Sequence, residues 1–358
     1  MLTSLVLLLG TFLLVEKALA DSNLPSRFLK YASEQDERFC FGYEPGCQQN
    51  SSYSAEVGMP KCDKDVWPKA MSNFYEQADF GYVRTRRNLH EVCVSADTEK
   101  KSSLRCSDNL LYCYAKNVFF DLSNLRAATS KRYRNDVIQH GQVGGNCETF
   151  WPQVLQNNLK QAGYLSSWAH ELNHFRSNAL FAVNERNCDI VFERPTIAIK
   201  LDAALNMYHH FCDFINLYAS QHINGSFHMD VDIIWWDTDT NEYGDHAFGV
   251  TWKAFSLWKP IELKSLDGKR VCFKSLMLPL LARQYGGLYY NMPLEPGCHG
   301  SGLVHSFSEH LLHRLAVPKW EASLEEVRLV ILSRSTTFRR MLNIGKAGLF
   351  FFKNLSKG

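Results

Sequence analysis

From about residue 150 onward, short runs of β-branched and aromatic residues alternate with segments of helical period. "CDIVFERPTIAIKL" reads as a strand, a proline-bearing turn and a second extended piece, and "DVDIIWW" as a buried strand. "KRVCFKSLMLP" supplies another strand, and "EEVRLVILSRS" at 325–335 a further one. "FWPQVLQNNLKQAGYLSSWAHELNHF" has the period of one or two helices, and "GSGLVHSFSEHLLHRLAV" that of another. Strands in alternation with helices predict an α/β domain with a largely parallel sheet. Residues 21–150 differ: they are cysteine-rich, aromatic and irregular, with one short helix expected in "VWPKAMSNFYEQADFGYV".

The eleven cysteines argue for an oxidising compartment. Seven precede residue 150, and none forms a C-x-x-C pair, which favours disulfides over zinc. Their spacing does not fix the pairing, and the odd total leaves at least one thiol unpaired or bonded to another chain. Residues 1–20, "MLTSLVLLLGTFLLVEKALA", end an apolar run in A-x-A, so a signal peptide cleaved before Asp21 is expected. Glu16 and Lys17 make that run too short for a membrane span, and no later segment reaches the required length of about twenty apolar residues. In a lumenal chain the sequons at Asn50, Asn224 and Asn354 become usable for N-glycosylation. A formal net charge of +2 gives no support for a nucleic-acid partner. The basic cluster "YVRTRRN" reads as a solvated face.

"NMYHHFCDFINLY" at 206–218 is the most unusual stretch. On a helix, Asn206, His209, His210, Asp213, Asn216 and Ser220 share one stripe, with Tyr208, Phe211, Cys212 and Ile215 largely opposite. A solvated stripe is normally rich in Lys and Glu, whereas this one carries Asn, His and Asp. One reading is a buried helix with hydrogen-bonded histidines. A second is a zinc site, which lacks H-x-x-x-H spacing here. A third is a Cys-His nucleophile, disfavoured because Cys212 points off the stripe. The fourth is a stripe facing a wet cleft, where His210 and Asp213, one turn apart, can orient an imidazole or act as a general base.

Two further constellations carry chemistry. Asp237 and Asp239 follow a strand, where a D-x-D can share a divalent metal with a nucleotide diphosphate; the plainer reading is a polar turn. In "LSRSTTFRRMLN" from 332, Arg334 leaves a strand, Ser335, Thr336 and Thr337 follow, and Arg339 and Arg340 stand at an expected helix start. Forked guanidiniums, hydroxyls and backbone amides at a helix N-terminus suit a diphosphate. No G-x-G-x-x-G and no Walker loop is present.

Together "ERFCFGYEPGC", "YEQADFGYVRTR", "KLDAALNMYHHFCDFINLYASQHIN", "RVCFK", "GLYYN" and "LSRSTTFRRMLN" resemble the EGF-domain-specific O-GlcNAc transferases. These belong to a family of inverting glycosyltransferases that includes plant xylosyltransferases and a mammalian protein O-mannose GlcNAc-transferase. The resemblance is collinear from about residue 38 to about 343. It implies transfer of GlcNAc from UDP-GlcNAc to Ser or Thr of folded EGF-like repeats, as in Notch-type receptors, in the endoplasmic reticulum lumen. It also implies a GT-B-like fold of two Rossmann-like halves around the sugar nucleotide. In that frame residues 21–150 are a Cys-rich segment, 151–322 the first, acceptor-side half, and 323–343 the start of the nucleotide-sugar half. Residues 344–358 are a divergent tail. Asp213 is then the expected general base, with His210 next and His209 beside them in the cleft. Arg334, Ser335 and Arg339 are the expected diphosphate contacts.

Where vertebrate relatives carry Asp-Tyr-Asp, this chain has Leu257, Trp258 and Lys259, so a divalent metal lacks motif support there. The second half is largely missing from this frame, and the expectation is a weakly active or inactive chain. No K-D-E-L-type ending is present, so leakage toward secretion is expected. The alternatives are a non-catalytic lumenal protein that binds EGF repeats or a longer sibling, and a related transferase with another acceptor.

Overall fold

The computed structural model describes residues 61–63, 69–97, 99–126, 136–156, 167–201, 206–236, 249–284, 286–288 and 295–317. Residues 1–20, Asn50, Asp237, Asp239, Asn354 and everything from 318 on lie outside this set, including Arg334, Ser335 and Arg339. The strands are β1 (Lys61–Cys62), β2 (His90–Val94), β3 (Ser103–Cys106), β4 (Cys113–Asp121), β5 (Val143–Gly145) and β6 (Thr149–Phe150). They continue with β7 (Phe175–Ser177), β8 (Ile190–Phe192), β9 (Thr196–Ile199), β10 (Asp232–Trp235), β11 (Ile261–Glu262), β12 (Arg270–Leu278) and β13 (Cys298–His299). The helices are α1 (Ala70–Ala78), α2 (Phe80–Thr85), α3 (Pro152–Gln156), α4 (Ala169–Leu172), α5 (Met207–Asn224) and α6 (Gly302–Arg314).

One large sheet runs in the order β11-β10-β9-β12-β4-β3-β2-β6. The strands after residue 150 pair parallel with one another, as expected for that stretch, but the sheet they belong to is mixed. β11, β10, β9 and β12 are parallel, whereas β12 meets β4 antiparallel and β4, β3, β2 and β6 continue antiparallel. The physical reason is the β4–β12 ladder, which pairs Cys113–Asp121 with Arg270–Leu278 over eight residue pairs. Through that ladder strands β2 to β6 of the cysteine-rich segment lie in the same sheet as the strands after residue 150.

β4 changes partner along its other edge. Its first residues pair with β3 and its last with β5, and Asn117 sits between the two with φ at 49°. Asn tolerates that left-handed conformation better than most residues. Its amide also donates to the carbonyls of Glu99 and Lys101, which pins the switch. At β5 the chain needs glycine: a Cβ on Gly144 would collide with the carbonyl of Arg176 in β7.

Period-two alternation feeds two cores. Ile197, Ile199, Ile233 and Trp235 face α5, α6 and α2, meeting Phe214, Tyr218, Leu303, Phe307 and Tyr82. Ala198, Ile234 and Trp236 face the opposite side with Trp168, Leu172, Phe120 and Phe273. Phe214 is almost wholly buried. Burial of a side chain that size contributes about 1.5–3 kcal/mol.

Among the described residues four disulfides join Cys62 to Cys298, Cys93 to Cys147, Cys106 to Cys113 and Cys188 to Cys272. Cys212 keeps a buried thiol, as its place off the polar stripe suggests. Asp79 joins three helices. It caps α2 by accepting from Phe80 N, and it accepts from Gly302 N and Leu303 N at the start of α6. Ser301 Oγ completes the joint by donating to Ala78 O at the end of α1.

Candidate functional site

The parallel strands β9, β10 and β12 end at Ile199, Trp235 and Leu278, and α5 begins shortly after β9. The carboxyl ends of parallel strands are where open α/β sheets gather their ligands. Asn206, extended at φ −102°, caps α5 by accepting from Tyr208 N at 3.1 Å. Gly225 ends the helix in the left-handed region at φ 69°, a conformation that favours glycine. Between these caps the helix carries the expected site residues at its amino end.

His209 is half-buried, while His210 and Asp213 are buried, three positions apart on one face. The His210 ring lies 4.7 Å from the Phe214 ring, centroid to centroid. Further along, the stripe is structural. Asn216 Nδ2 donates to Cys212 O and Leu288 O, at 2.8 and 3.3 Å. Ser220 Oγ donates to Asn216 O and accepts from Leu280 N. For Asn216 and Ser220 the buried-helix reading holds rather than the cleft-facing one: they bolt α5 to the segment that follows β12. Every residue from Cys212 to His222 is buried, so α5 is a core helix rather than a two-faced surface one.

The two D-x-D matches fall at opposite ends of β10. Asp230 and Asp232 precede it, where Arg194 binds Asp232 Oδ1 at 2.8 Å and stacks 4.2 Å over the Trp258 ring. Trp258 Nε1 donates to Asp230, and Leu257 is buried beside them. Leu257 and Trp258 thus belong to an aromatic brace at the amino end of the strands. Asp237 and Asp239 lie outside the described residues. Among the described residues no group of three or more His, Cys, Asp or Glu side chains could hold a metal ion. No helix among them is long and apolar enough to cross a membrane.

Three polar residues near the carboxyl ends escaped the sequence reading. Lys200, the residue after β9, binds Glu171 Oε2 at 2.7 Å and lies 4.7 Å over the Trp168 ring. The signal was present, since Lys200 closes the apolar run "TIAI". Gln284, beyond β12, is fully buried, with its side chain against the buried Tyr82 hydroxyl.

No family model matches the chain. Curated relatives do. The chain is 41% identical over 316 residues to the EGF domain-specific O-linked N-acetylglucosamine transferase of Xenopus laevis, covering 87% of this chain and 59% of that protein. The chicken protein of that name is 43% identical over 310 residues, covering 85% and 57%. This chain is homologous to these transferases. The Drosophila melanogaster transferase is 38% identical over 316 residues, covering 85% of this chain and 59% of its own length. The chain thus spans less than two thirds of each EGF domain-specific O-GlcNAc transferase it matches. Alignments over 85% of the chain necessarily take in α5 and all strands from β2 to β12. The resemblance read from six motifs therefore extends through the whole mixed sheet.

Proposed function

We propose that this sequence supplies the acceptor-side half of a glycosyltransferase that moves GlcNAc from UDP-GlcNAc to Ser or Thr of folded EGF-like repeats in the endoplasmic reticulum lumen. The observation that carries the proposal is collinear identity of 38–43% to transferases so named, through the whole described sheet. Four disulfides add support for an oxidising compartment. Asp213 takes the proton of the acceptor hydroxyl as its oxygen attacks the anomeric carbon. The bond from that carbon to the diphosphate breaks, UDP departs with the electron pair, and the configuration inverts. His210, one turn before Asp213, orients it, and His209 lines the approach. Arg334 and Arg339, with Ser335, hold the diphosphate charge that grows as the bond breaks.

The test joins this chain's described body to the remaining C-terminal residues of the chicken relative. The chimera is incubated with UDP-GlcNAc and a folded EGF repeat, and the intact mass of the repeat is measured. One added hexosamine, lost in Asp213→Asn with retained folding and kept in Cys212→Ser, is the expected result. A chimera that binds the repeat and leaves its mass unchanged would overturn the proposal. Wild-type turnover by Asp213→Asn would remove Asp213 as the base.

A further inference from the structure

At the far end of the sheet from α5's amino terminus lies a groove of about 460 Å³. It is walled by the starts of β9 and β10, the last turn of α5, and β3, β4 and β12. Its volume falls in the range of small-molecule sites, about 300–1,000 Å³. Tyr114 and Ser275 share a hydrogen bond of 2.7 Å in its wall, and Arg105 and Lys116 reach it from β3 and β4. No carboxylate lines it among the described residues. Gln221 is 2% exposed, yet its Oε1 accepts from no described residue. A buried acceptor in that state is destabilising until a donor meets it.

A donor source is built into the same wall. Asn224, of the "NGS" sequon, lies exposed in this groove three positions from Gln221, so the two Cβ atoms are neighbours at about 5–6 Å on one helix face. Tyr112 OH donates to Asn224 Oδ1 at 3.3 Å. That bond uses the amide oxygen and leaves Nδ2 for a glycosidic bond. We propose that the groove seats the inner sugar of an N-linked glycan carried by Asn224, with a sugar hydroxyl or acetamido N–H donating to Gln221 Oε1. The glycan comes from a lipid-linked oligosaccharide pyrophosphate. Asn224 Nδ2 bonds to the sugar's anomeric carbon and gives up a proton, and the carbon–oxygen bond to the pyrophosphate breaks with the lipid pyrophosphate leaving. The seat is a structural prop at the end of the sheet opposite Asp213, and it rests on the proposed function only for passage through the lumen.

The experiment expresses the 358-residue chain in a secretory host, maps sequon occupancy by mass, and trims the glycan to one GlcNAc with an endoglycosidase. Melting temperatures are compared with those of Ser226→Ala, which removes the sequon and keeps Asn224 and its bond to Tyr112. The trimmed glycoprotein should melt about 1–2 °C higher, the shift of one hydrogen-bonded contact in a body this size. Gln221→Ala, made in both backgrounds, should shrink that gap to less than about a third of its size while the sequon stays occupied. An empty Asn224 would overturn the proposal together with the lumenal part of the functional reading. An occupied Asn224 whose gap is absent, or survives Gln221→Ala unchanged, would overturn the groove assignment alone.

Discussion

Asp79 shows how much organisation one side chain can carry. Its two oxygens accept from three backbone amides at the starts of α2 and α6, donors that no intrahelical carbonyl can satisfy. Burial pushes its carboxyl above the usual carboxylate range, and bonds from Gly302, Leu303 and Phe80 pull it back down. Removing the side chain forfeits a cap and orphans buried amides, at about 0.5–2 kcal/mol for a cap and 1–3 for an unmet donor. Asp79→Ala should therefore destabilise the protein by about 2–4 kcal/mol in chemical denaturation, and Asp79→Asn by less, because an amide oxygen still accepts. A loss under 0.5 kcal/mol for the alanine variant would contradict this role. Nothing in "QADFG" announces it beyond an Asp before an apolar run, since the second helix it caps starts over two hundred residues later.

At the scale of elements, α5 is where local pattern and packing part. Its period was legible from residues 206–220, but the pattern cannot say how many neighbours a helix will have. The sheet covers one side, α2 and α6 pack near its carboxyl half, and the segment at 280–288 closes over the stripe. His222 ends up fully buried, its ring edge-on to Phe80, Tyr218 and Phe227. Burial first, and the Arg87 guanidinium second, depress it to about 3. His310 from α6, ring to ring with Tyr218, is depressed in the same direction by burial and by Arg314. An unfolded imidazole titrates near 6.5, so between about 6.5 and 3 the unfolded chain binds the proton that the folded one refuses. Stability should fall as pH drops through that window, by about 2 kcal/mol at pH 5 from His222 alone. Unfolding free energies of wild type and His222→Phe at pH 7 and pH 5 check it: the variant should lose measurably less. Equal losses would remove His222 from the account.

For the whole molecule, the legible part of the fold was the parallel half, because buried β-branched strands such as Ile197–Ile199 and Ile233–Trp235 declare themselves locally. The antiparallel half was not, since β4 finds β12 across some 150 residues and switches partners at Asn117, neither of which leaves a local period. The candidate site was half legible: the helix and its His210–Asp213 pair could be placed, whereas Glu171 and Lys200 meet only through the fold. The cross-links follow the same logic of distance. Cys62–Cys298 joins residues 236 apart, whereas Cys106–Cys113 closes a separation of 7. Cys93–Cys147 and Cys188–Cys272 are nested inside the long ring and shorten it to roughly 100 residues. Chain-entropy loss for such a ring is about 5 kcal/mol, against about 2 for the short one. Replacing both cysteines of Cys62–Cys298 with alanine should therefore cost about twice as much stability as the same change at Cys106–Cys113, and should free the β1–β13 pair to fray. Calorimetry and hydrogen exchange on the two double variants decide it. A larger loss at the short bridge would mean that folded-state strain relief and packing, rather than ring size, set the value of these disulfides.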